Sequence, residues 1–104
     1  MLGRGSTTPG LGDPAPVSSL SDAVEVSVGY TDSAGIHPIT CARRASGGVA
    51  CWGDNGLGQL GTTAVAIGSA TGVPVALPGI TTAVQISVGR NASCARLADG
   101  HVSC

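Results

Sequence analysis

The chain has no phenylalanine and no lysine, and only one tryptophan, one tyrosine and one methionine among its 104 residues. Each absence excludes something. The apolar content is mostly Ala and Val, so any core is built from small side chains that bury little area each. In a short chain that leaves a thin margin of stability. The positive charge is carried by five Arg, against six Asp and Glu. Nucleic-acid binders need clustered positive charge, and the one basic doublet, Arg43-Arg44, reads as a solvated strand end. No nucleic-acid partner is expected. No run is long and apolar enough to span a membrane, and MLGRGSTTPG carries no apolar stretch of signal-peptide type.

What is abundant is glycine: 17 residues, with 6 prolines. That is more than twice the usual glycine share of about 7 % and points to turns and short strands. Gly56-Leu57-Gly58-Gln59-Leu60-Gly61 formally matches a dinucleotide-binding fingerprint. That fingerprint needs a helix after it and an acid about 20 residues on, to hold the ribose. The continuation TTAVAIGSATGVPV is rich in Gly and β-branched residues, which disfavour a helix. No acid occurs between Asp54 and Asp99. The glycines are therefore expected to form turns, and no cofactor is expected.

The chain repeats itself. AVEVSVG at 23–29 returns as AVQISVG at 83–89, CAR at 41–43 as CAR at 94–96, and GGVAC at 47–51 as GHVSC at 100–104. Leu2-Gly3 echoes Leu60-Gly61, and APV at 15–17 echoes VPV at 73–75. A period near 50 residues marks a propeller or solenoid. Val24, Val26 and Val28 alternate with Glu25 and Ser27, as Val84, Ile86 and Val88 do with Gln85 and Ser87. Such a period of two predicts strands with one buried face, with burial expected at Val24, Val26, Val84 and Ile86. A proline-marked outer strand is expected at 74–77, and a similar one at 15–18.

Two hairpins follow. Their three-residue loops, Ala45-Ser46-Gly47 and Ala98-Asp99-Gly100, end on a Gly suited to the left-handed region. Counting back from each loop sets Cys41 opposite Cys51 and Cys94 opposite Cys104, which suits disulfides. Four cysteines allow three pairings, and the same answer from two hairpins selects this one. The rival is four reduced cysteines serving as small buried hydrophobes. Zinc or redox spacing of the Cys-x-x-Cys kind is absent.

The order PVxL, AVxxSVG, CAR, turn, then CWGDNGLGQLG at 51–61 resembles the regulator of chromosome condensation repeat family, in its cysteine-containing bacterial and alpha-tubulin-suppressor-like form. The resemblance runs over essentially the whole chain. It implies an all-β fold, a β-propeller of four-stranded antiparallel blades, usually seven. Gly53, Gly56, Gly58 and Gly61 then resemble the family's turn glycines, and Trp52 its blade-packing aromatic. Residues 1–22 are read as the end of a preceding blade with its outer strand, 23–77 as a complete blade, and 83–104 as an incomplete second one. The chain thus reads as an excerpt of a larger propeller.

No base, acid or nucleophile is spaced for catalysis, and His37 and His101 read as turn or loop residues. The expected class is a non-enzymatic protein–protein interaction scaffold with variable loops at 30–38 and 62–72. The alternatives are guanine-nucleotide exchange on a small GTPase, implied by the family's founding member, and a fragment with no activity of its own. Asp54-Asn55-Gly56 reads as a tight turn rather than a calcium loop, and no metal is expected. Asn91-Ala92-Ser93 is a glycosylation sequon. Disulfides would place the protein outside the cell or in the periplasm, as part of a secreted parent. Two uncovered blade faces predict a homo-oligomer that completes a propeller, or a marginal, aggregation-prone monomer.

Overall fold

The computed structural model describes all residues except 8–11, 32–36 and 91, together with the side chains of Thr31 and His37. The described chain is all-β and forms two antiparallel sheets. The first contains β1 (Ala23–Thr31), β2 (His37–Arg44), β3 (Val49–Asp54) and β4 (Ala70–Ala76) in that spatial order. The second contains β5 (Ala83–Val88), β6 (Ser93–Leu97) and β7 (Val102–Ser103), again in chain order.

Turn chemistry sets the registers. The Arg44 amide donates to the Gly48 carbonyl, and the Leu97 amide to the His101 carbonyl, each at 2.8 Å across a three-residue loop. Gly47, at φ 89°, and Gly100, at φ 90°, close these loops in the left-handed region that side chains disfavour. Cys41 lies opposite Cys51, Ala42 opposite Ala50 and Arg43 opposite Val49. Arg96 lies opposite Val102 and Ala95 opposite Ser103 in the second hairpin. Both β1 and β5 carry a bulge at the same repeat position, Val24 and Val84. A bulged residue leaves the alternation locally.

Burial differs from the expectation drawn from periodicity. Ile86 is buried, but Val24, Val26, Val28 and Val84 are exposed. Glu25 and Ser27, on the other face of β1, are instead turned towards β5. Alternation identifies two faces of a strand and not which one a neighbour covers. Here β5 covers the polar face. The core forms between the sheets, from Ile39, Cys41, Val49, Cys51, Leu60, Ala83, Ile86 and Ala95. Full burial of its larger members, Ile39 and Leu60, contributes about 1.5–3 kcal/mol each.

Two strand expectations also change. The outer strand begins at Ala70 rather than Pro74, because Gly53 and Asp54 pair with Thr71 and Ala70 beyond a bulge. Pro74 sits in this edge strand, where a missing N–H is tolerated. Residues 15–18 form no strand. Their backbone is tied instead through the Ser18 amide to the Gly3 carbonyl at 2.8 Å. With no adjacent strand beside it, the segment has no ladder to join.

Candidate functional site

The loop after β3 is densely hydrogen-bonded, and its centre is Asn55. This residue is fully buried. Its Nδ2 donates to the Val65 carbonyl at 2.7 Å and the Ala66 carbonyl at 3.3 Å. Its Oδ1 accepts from the Leu60 amide at 3.0 Å. Its backbone carbonyl accepts from the Gly58 and Gly68 amides, and its own amide donates to the Ser69 carbonyl. Through its side chain and backbone together, this one residue joins residues 58–60 to residues 65–69, with every polar group supplied as burial requires.

Asp54 closes the loop from the outside. Its Oδ2 accepts from the Gly56 amide at 2.8 Å and from Gln59 Nε2 at 2.7 Å, while Gln59 Oε1 accepts from the Leu57 amide at 2.7 Å. The Asp-Asn-Gly run is therefore a turn, with Gly56, Gly58 and Gly61 all inside it. Gly53 precedes it at φ 123°, where an added Cβ would collide with the Pro38 carbonyl. Only glycine fits there.

This rigid loop carries two exposed aliphatic side chains, Leu57 (76 % exposed) and Ile67 (75 %). Ile67 lies over Gly58, whose hypothetical Cβ would meet the Ile67 Cδ1 at 3.6 Å. Leu60, by contrast, points inward to the core. Sequence reasoning placed Asn55 in a tight turn and Ile67 in a variable loop, but did not foresee the burial of Asn55 or single out Leu57 and Ile67 as exposed contacts. The signal for Asn55 was slight, because its partners Val65 and Ala66 lie ten and eleven residues away.

The remaining predicted residues are distributed as follows. Disulfides join Cys41 to Cys51 and Cys94 to Cys104, with Cα atoms 4.1 Å apart in both. The first is buried between the sheets; in the second, Cys104 is exposed. Trp52 is buried, and its indole lies beside Gly3 and Val17. Any side chain on Gly3 would strike that ring. His101 pairs with Asp99 at 3.1 Å on the surface, and Asp99 also takes the His101 amide, which makes it a turn residue. His37 opens β2 with its side chain outside the described residues, and Asn91 of the sequon is outside them too.

A cleft of about 340 Å³ opens between the sheets, lined by residues such as Leu60, Ile86, Val88 and both disulfides. Its lining holds no ionisable side chain. Among the described residues, no three His, Cys, Asp or Glu side chains gather to hold a metal. Two ion pairs brace β2. Arg44 pairs with Asp22 at 2.8 Å, and Arg43 with Glu25 at 2.8 Å. The hydrogen bond from Arg43, aided by the Ile86 amide, holds the Glu25 carboxyl below its ordinary range against the opposing effect of burial.

Two antiparallel sheets with matching registers, matching bulges and matching disulfides define an all-β repeat protein. Residues 46–96 match the family model of the Regulator of chromosome condensation (RCC1) repeat, so the chain contains an RCC1 repeat. The matched stretch runs from the first hairpin loop into β6, while β1 and β2, which pack against β5, lie outside it. No curated protein and no solved structure gives a significant match.

Proposed function

We propose that this chain is a non-enzymatic protein–protein interaction scaffold, a segment of a β-propeller whose sheets are one complete and one incomplete blade. The propeller reading rests on the RCC1 repeat together with two sheets of like register. The observation that carries the interaction reading is the loop at 54–69. There the buried Asn55 ties the loop together, Leu57 and Ile67 are both exposed, and Ile67 lies over Gly58, the residue after Leu57. Exposed aliphatics on a pre-organised loop lose little entropy on binding, which favours a protein contact. The two disulfides support an oxidising setting, extracellular or periplasmic.

Affinity capture compares the native chain with the double variant Leu57→Asp/Ile67→Asp. Both positions are exposed, so the fold should persist. Partners retained by the native chain and lost by the variant support the reading, and equal retention contradicts it. A nucleotide-release assay on small GTPases separates a scaffold from an exchange factor: accelerated release would favour exchange.

A further inference from the structure

The two sheets pack through unlike faces, and the chain exposes a second example of each. Val26 lies opposite Ala42 just as Ile86 lies opposite Ala95, and Arg43 faces Val49 as Arg96 faces Val102. The repeat therefore gives several interface residues a mate. Val49 is 3 % exposed and its mate Val102 is 63 % exposed. Leu60 is 1 % exposed and Leu2 is 52 %; Ile86 is 7 % and Val26 is 63 %. Three core residues at the interface thus have three solvent-facing mates.

The polar contacts are duplicated as well. Glu25 Oε1 accepts from the Ile86 amide at 3.3 Å, and Ser27 Oγ from the Val88 amide at 3.0 Å. Gln85 and Ser87 occupy the mate positions of those acceptors, and Val26 and Val28 those of the donors. Gly29 lets the Gly89 carbonyl come against β1, and its own mate is Gly89. Gln85 Oε1 accepts from Arg96 Nε at 3.2 Å, as Glu25 Oε2 accepts from Arg43, and the same amide oxygen has a second lone pair for another donor.

We propose that a second copy of this chain docks its first sheet onto the exposed face of the second sheet, repeating in trans the interface made within the chain. Gln85 Oε1 and Ser87 Oγ then accept from the copy's Val26 and Val28 amides. Val102 and the copy's Leu2 and Val26 become buried. The copy's Val17-Ser18 segment runs beside β7, with Ser18 opposite Ser103, as Ala76 lies opposite Ala50 in the first sheet. The contact is heterologous: each copy offers one face of each kind, so copies close into a ring or extend.

Sedimentation velocity on the 104-residue chain and two surface variants tests this. At tens of micromolar the native chain should sediment as multiples of the monomer. Val26→Asp and Val102→Asp should each weaken self-association by more than about tenfold, since each puts a charge into a buried contact. Each variant keeps one intact face, so an equimolar mixture of the two should form a dimer and nothing larger. Disulfide mapping and circular dichroism confirm that both variants fold. A monomeric native chain would overturn the proposal, as would variants that associate like the native chain, or folded variants whose mixture stays monomeric.

Discussion

Glu25 on β1 links the two sheets to the chain's ionic network. One carboxylate oxygen takes the Ile86 amide at 3.3 Å from the neighbouring sheet, while the other takes Arg43 Nε at 2.8 Å from its own. The outer edge of β5 would otherwise leave its amides to water. A side chain that the alternation of β1 marks as solvent-facing instead acts as part of a sheet edge.

That relationship predicts a pH dependence. The folded state holds the Glu25 pKa below its unfolded value. Its contribution is therefore present above the ordinary carboxylate range and is lost as pH falls through the lowered folded value. Glu25→Gln retains an acceptor for Ile86 and removes the titration. Thermal midpoints measured from neutral to acid pH should fall less steeply for the variant. Parallel curves would contradict this role.

Asn55→Ala should destabilise the chain by about 2–4 kcal/mol, because it leaves the Val65 carbonyl and the Leu60 amide without their side-chain partner. Urea unfolding measures this. A loss below about 1 kcal/mol would show that water replaces the side chain readily.

The disulfides should differ in reactivity. Cys41 and Cys51 are buried between the sheets, whereas Cys104 is exposed. A reductant should open Cys94–Cys104 first, as followed by timed alkylation and peptide mapping. Each bridge closes a short loop and contributes about 2–3 kcal/mol in the chain-entropy account. Simultaneous opening would mean that the sheets separate before either bond is reached.

Much of the hairpin geometry was legible in the sequence, because a three-residue loop ending in Gly47 or Gly100 leaves one register, and that register pairs the cysteines. The covered face of β1 was not legible. Period-two patterning separates Val26 from Glu25 without saying which meets a neighbour, and only the position of β5 decides it. Asn55 was hidden for a different reason. Asp-Asn-Gly reads as a local turn, while the side chain's partners come from a later stretch of irregular backbone. The segment at 15–18 has strand-like residues, but a strand needs an adjacent strand to pair with.

Gly29→Ala should cost more than Gly89→Ala. A methyl on Gly29 would run into the Gly89 carbonyl and lie 2.7 Å from Val88 Cγ1, whereas one on Gly89 meets only the Ala92 carbonyl at 3.4 Å. The expected cost at Gly29 is about 1–3 kcal/mol, as for overpacking. Denaturation of the two variants side by side checks it, and equal stabilities would place the sheets farther apart than described.

The central claim is that the sheets meet through the side chains of Glu25 and Ser27 at the edge of β5. Residue-resolved hydrogen exchange on the native chain tests it most directly. The Ile86 and Val88 amides should be protected to the level of the β5–β6 ladder, and Ser27→Ala should selectively release Val88. If both amides exchange as fast as an unpaired, solvent-facing edge, the two sheets do not pack as described.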